Sequence, residues 1–121
     1  LTGFFGKSKN REEPRQAPLY GEKMIENEII TAIQNKLLVS CFYDGFPRVV
    51  EPHCLGRNKN GLKLLCYQTG GGSSKGNIPD WRMFSVGKME NVLVLDEHFT
   101  QPAPGYKRND NAMKFGIIAQ L

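Results

Sequence analysis

Two strand-like segments, Arg48–Gly56 (RVVEPHCLG) and Ile78–Phe84 (IPDWRMF), flank a glycine-rich stretch, and each sets a cationic side chain among residues suited to burial. Arginine and histidine on a half-buried sheet are suited to holding an anion. A guanidinium whose stem lies on apolar surface grips phosphate with two parallel N–H bonds. Arg82 is the foremost candidate, because alternation puts it on the same side as Phe84 and Val86. The competing role for Arg82 is an internal ion pair with Glu51 or Asp80. Arg48 and His53 fall on opposite faces unless a bulge at Pro52 shifts the phase. His53 by itself reads more simply as a hydrogen-bonded structural histidine.

Around these lie further candidates. Tyr67 and Trp81 are aromatic residues beside cations, a combination that stacks bases, although a single Trp at a strand start also serves to cap a core. Ser73, Ser74 and Lys75 sit at the tip of the GGGSSKG loop, where successive backbone amides can form an anion nest. The loop lacks the G-x-x-x-x-G-K-[ST] spacing, and no helix follows it, so it is not a nucleotide-binding Walker loop. Arg57 and Lys88 complete the cationic set, Arg57 in a turn where a solvated charge is the simpler reading.

The elements that position these groups follow from periodicity. Residues 1–21 mix charge, proline and glycine with no apolar period and are expected to be a flexible arm, Phe4 and Phe5 being its docking residues. Ile25, Ile29 and Ile33, with Ala32, recur at helical spacing and predict one amphipathic helix over residues 22–36, with Glu22 and Lys36 complementing its dipole. From Leu37 the period becomes two. Strands are expected at 37–43, 46–55, 62–68, 81–86 and 91–96, the first pair joined by an Asp44-Gly45 type I′ turn. One helix and five short antiparallel strands predict a mainly β domain over residues 22–99, a small five-stranded Sm/SH3-like barrel whose closure removes its edges. Residues 100–121 form a C-terminal extension ending in an apolar segment that must pack somewhere.

Composition narrows the function. The chain has 121 residues, 40% hydrophobic and 23% charged, enough for one core. No apolar run approaches the roughly 20 residues of a membrane span, and no partner membrane is expected. The absent initiator Met leads us to expect an upstream part before residue 1. The net charge of +4 suits a polyanionic partner, and the excess lies in the sheet rather than the arm. Three cysteines, Cys41, Cys54 and Cys66, make no disulfide framework and indicate a reducing, cytoplasmic setting. With His53 they lack a C-x-x-C knuckle, so they read as core thiols, with no metal or other cofactor expected. His53 and His98 stand far apart, and Asp96-Glu97 reads as a solvated pair, so an enzyme is not expected.

In order, the Ala32-Ile33 pair, Phe42-Tyr43, Arg48-Val49-Val50-Glu51-Pro52, Gly61-x-x-Leu64-Leu65-x-Tyr67 and Arg82-x-Phe84-x-Val86-x-Lys88 resemble the WYL domain over residues 25–97. The tripeptide that names the family is here Leu62-Lys63-Leu64, and Ser85 stands where the family carries a second arginine. The resemblance implies an Sm-like barrel that senses a nucleotide or single-stranded nucleic acid through a basic face, in bacterial transcription regulation or phage defence. Residues 1–21 leave no room for the winged helix-turn-helix that usually precedes such domains, which implies a stand-alone or excised module. The alternative is a non-catalytic protein-interaction or homo-oligomerisation module using strand edges and the terminal extensions.

Overall fold

The computed structural model describes residues 17–121; the Phe4-Phe5 pair lies outside the described residues. It comprises α1 (Ala17–Asn35), β1 (Leu37–Tyr43), β2 (Phe46–Asn58), β3 (Gly61–Gly71), β4 (Asp80–Ser85), a 3-10 turn (Val86–Lys88), β5 (Glu90–His98) and β6 (Ile117–Gln120). The architecture is mainly β, one helix on an antiparallel sheet, as the change of period at Leu37 requires.

The helix starts before residue 22, so its first turn carries no acidic residue, and Lys36 lies just past its end with φ 53°. The dipole complement expected of Glu22 and Lys36 is therefore absent. Packing holds the helix instead: Ile29, Ala32 and Ile33 are buried against Val39, Val50, Leu55, Leu64 and Phe84. Each isoleucine so covered contributes about 1.5–3 kcal/mol. No helix among the described residues is long and apolar enough to cross a membrane.

Asp44 and Gly45 take φ of 51° and 82°, the positive values a two-residue primed turn needs, and pair Tyr43 with Phe46. The strand order is β4-β3-β2-β1-β5, with β6 added beside β2. β4 and β5 end this path unpaired with each other, so the sheet is open and the expected barrel closure is not present. β2 is long because it bends: its register with β3 slips between Pro52 and Cys54, leaving His53 as a bulge. Beyond the bend, Cys54–Gly56 pair with both β3 and β6. The C-terminal extension is thus part of the sheet. Gly56 permits this, since a Cβ there would lie 2.7 Å from the Gly116 carbonyl oxygen.

Candidate functional site

Alternation along three neighbouring strands delivers polar side chains to the core side at one end of the sheet. On β2 the buried phase runs Arg48, Val50 and Pro52; on β3 it runs Leu62, Leu64, Cys66 and Gln68; on β4 it is Arg82 and Phe84. Three of these are polar, and they meet. Gln68 Oε1 accepts from Arg48 Nη1 and from Arg82 Nε, each at 3.1 Å. Gln68 Nε2 donates to the carbonyls of Gly70 and Gly72 at 2.9 and 3.0 Å. Gln68 has 0% exposure, yet every polar group it carries is used.

The two arginines differ in how fully they are engaged. Arg82 donates from Nη1 to Asp80 Oδ2 (3.1 Å) and the Trp81 carbonyl, and from Nη2 to Ser73 Oγ and the Asn77 carbonyl. With its bond to Gln68 these occupy all five guanidinium donors. Its ion pair with Asp80 is the internal one anticipated from sequence. Arg48 also donates to the Tyr43 carbonyl at 2.9 Å, while its Nε is buried without a partner. Among the described residues no carboxylate lies within ion-pair distance of Arg48. Its charge rests on aromatic faces, 5.3 Å from the Phe84 ring centroid and 5.6 Å from those of Tyr43 and Phe46. A buried guanidinium with spare donors and no counter-ion is a strong anion attractor.

Both arginines border a cleft of about 290 Å³ that is also lined by Tyr43, Asp44, Ser73, Ser74, Lys75 and Trp81. The lining carries three cations and one carboxylate, Asp44, and the Asp80 carboxylate paired with Arg82 behind it brings the surplus down to one positive charge. The glycine run shapes its rim. Gly71 has φ 87° and passes so close to β2 that a Cβ would collide with the Pro47 carbonyl oxygen, while Gly72 N–H donates to that oxygen at 2.9 Å. The loop is therefore hung from Gln68 and Arg82 rather than built as an amide nest.

Arg48, Ser73, Ser74, Lys75 and Arg82 are the expected site residues that the fold brings together; Trp81 also touches the cleft, but its ring turns to the other face of the sheet. His53 belongs elsewhere, although the bulge that would have moved it does occur. Its Nδ1 lies 2.8 Å from the Glu51 carbonyl, and its Nε2 accepts from Ala103 N–H at 2.9 Å. A carbonyl can only accept and an amide can only donate, so the ring is a neutral, fixed tautomer. Burial lowers its pKa, with the bond to the Glu51 carbonyl pulling the other way. His53 is a structural clasp for the C-terminal segment and not a ligand group.

Tyr67 and Trp81 sit on the opposite face of the sheet, with ring centroids 5.1 Å apart. Trp81 also contacts His53 and Tyr106, and its indole N–H donates to the Pro104 carbonyl at 2.9 Å. Its ring is built into the packing of the C-terminal segment, so a stacking platform for bases is not formed there. Tyr67 borders a separate cleft with Glu51, His98 and Phe99. Arg57, at the far end of β2, has Nη2 3.8 Å from Glu26 on the helix, and Lys88 is exposed in the 3-10 turn. Neither joins the arginine cleft.

Cys41, Cys54 and Cys66 are buried free thiols, as small core residues are expected to be. Burial pushes Cys41 and Cys54 up to about 11, Arg48 partly offsetting the effect at Cys41 and Asp110 adding to it at Cys54; burial also raises Cys66 well above the ordinary thiol value. No three metal-ligating side chains gather among the described residues. The residue that sequence reasoning missed is Gln68. Its signal was available: a polar side chain on the buried phase of an otherwise apolar strand.

No family model, curated protein or solved structure matches this chain significantly.

Proposed function

We propose that this protein is a WYL-like ligand-sensing regulatory domain whose Arg48–Arg82 cleft takes the phosphoryl group of a nucleotide or of a single-stranded nucleic acid. The carrying observation is the pair of buried guanidiniums that share one neutral Gln68, with Arg48 lacking any carboxylate partner among the described residues. Desolvated donors of this kind bind an anion more strongly than exposed lysines do. The cleft, at about 290 Å³, lies at the small end of the ~300–1,000 Å³ range of small-molecule sites, which favours the nucleotide over a strand. The bend of β2 and the helix-covered sheet support an Sm-like ancestry, with the unpaired edges of β4 and β5 making the barrel incomplete. Bacterial transcription control or phage defence is the setting this reading implies.

Lys75 and Ser74 lie at the exposed loop tip and make no hydrogen bond that holds the fold, so they test the site without unfolding it. Lys75→Ala is expected to weaken nucleotide binding about threefold to tenfold, with a reduced salt dependence. The single tryptophan, Trp81, precedes Arg82 on β4 with its ring on the other face of the sheet, so its fluorescence follows binding through the strand, and calorimetry reads binding directly. Unchanged affinity in Lys75→Ala and in the double variant with Ser74→Ala would exclude this cleft.

A second reading is favoured by the open sheet, whose terminal strand β5 carries Leu93 at 59% exposure. Under it the domain pairs with a protein partner or a second copy through this edge. Leu93→Lys then shifts the mass found by light scattering to that of a monomer. A wild-type chain that is already monomeric at every concentration removes the self-association form of this reading.

A further inference from the structure

Arg82 has no donor left to offer, and one of its partners is unlike the others. The Gln68 oxygen, the Trp81 and Asn77 carbonyls and the Ser73 hydroxyl are neutral, whereas Asp80 is charged and its side chain is 47% exposed. Asp80 stands at the start of β4, its Oδ1 accepting from Trp81 N–H at 2.8 Å while Oδ2 accepts from Arg82. A ligand phosphoryl group that reaches Arg82 must take the place of one existing acceptor. The carboxylate is the acceptor that water can most readily solvate once released, and the one whose charge repels the ligand.

We propose that Asp80 is a built-in competitor for the anion site, occupying Arg82 until a ligand bearing one compact phosphoryl group displaces its carboxylate. This deepens the proposed function and rests on it. Arg48 supplies the spare donors that receive the ligand, and Arg82 is released to it by exchange. Because Arg82 Nη2 also holds Ser73 and Asn77, the exchange is transmitted to the 72–79 loop. Site occupancy thereby becomes a change in loop geometry, which a regulatory partner can read. Asp80 sets a threshold: it subtracts one charge from a cleft that otherwise carries a surplus of two.

Asp80→Asn isolates this role, since an amide oxygen can keep the bond from Trp81 N–H while the charge is lost. Asp44→Asn is the control: it removes an equal charge from the same cleft, but Asp44 makes no bond to Arg82. The full chain is titrated with inorganic phosphate, with adenosine 5′-monophosphate and with a short oligothymidylate lacking terminal phosphates, using Trp81 fluorescence and calorimetry. Asp80→Asn is expected to bind the first two about tenfold more tightly than wild type, and Asp44→Asn to gain much less. The slope of log affinity against log salt should be shallow, about −0.7 to −1, as for one phosphate.

If wild type binds and Asp80→Asn binds equally or more weakly, or if Asp44→Asn matches it, the competitor role is overturned while the cleft assignment stands. Tighter binding of the oligothymidylate with a steep salt slope overturns the one-phosphoryl ligand class. Absence of binding by wild type and Asp80→Asn alike removes both this inference and the proposed function.

Discussion

Gln68→Leu is expected to lower the stability of the domain by about 3–5 kcal/mol, the largest effect of any single change at the cleft. The volume is nearly conserved, so the loss is electrical rather than steric. Leucine removes the acceptor shared by Arg48 and Arg82, and among the described residues Arg48 is then left with the Tyr43 carbonyl as its one remaining hydrogen-bond partner. It also strands the carbonyls of Gly70 and Gly72, which the Gln68 amide group now satisfies. Urea denaturation followed by far-UV circular dichroism checks the size, and thermal unfolding should shift downward by on the order of 10 °C. A loss below about 1 kcal/mol would show that water replaces the glutamine without cost and that the guanidiniums are not truly buried.

His53→Ala carries the second large effect, about 3 kcal/mol, through a different part of the fold. The ring lies within 4.8 Å of Trp81, 5.0 Å of Tyr106 and 5.6 Å of Phe99 by centroid, so truncation opens a cavity among aromatic groups. It also frees Ala103 N–H, the bond that pins the C-terminal segment to the bulge of β2. His53→Phe keeps most of the packing and loses only the two hydrogen bonds, about 2 kcal/mol. The pH dependence follows from the same geometry. Burial holds the folded imidazole below its ordinary value of 6.5, so the unfolded chain takes up a proton that the folded chain refuses. Stability from this group is therefore intact above 6.5 and falls as the pH drops from there toward the lowered folded value. The wild-type urea midpoint should fall on acidification from pH 8 to pH 5 by more than that of His53→Phe, which cannot titrate. Equal slopes in the two proteins would mean that the ring is hydrated and not clasped.

These two residues show what alternation along a strand can and cannot tell. Arg82 shares the buried face of Phe84, as alternation predicts, because a short, regular strand keeps its phase; Val86, buried too, falls just past the strand in the 3-10 turn. Gln68 obeys the same rule on β3 and was legible in principle; a glutamine attracts notice only when its buried phase is weighed against its polarity. His53 was not legible in this way. A bulge adds one residue to one strand, and every inference of facing beyond it reverses. The sequence suggested a bend at Pro52, but whether the extra residue turned His53 toward Arg48 or toward the C-terminal segment depended on what packs behind it. Residues 99–106 supply that packing from far along the chain. Trp81 illustrates the same limit, since its Pro104 partner comes from a segment with no periodic signal.

Local chemistry alone fixed the helix stripe of Ile25, Ile29 and Ile33, the Asp44-Gly45 turn, the strands around them and the burial of three unreactive thiols. Each depends on neighbours a few residues away, where spacing and backbone preference act directly. The meeting of Arg48 with Arg82 across Gln68, the recruitment of β6 to the sheet and the failure of β4 to reach β5 were decided only in three dimensions. Those outcomes depend on long-range pairing and on the curvature accumulated at the β2 bend, which no short stretch of sequence encodes.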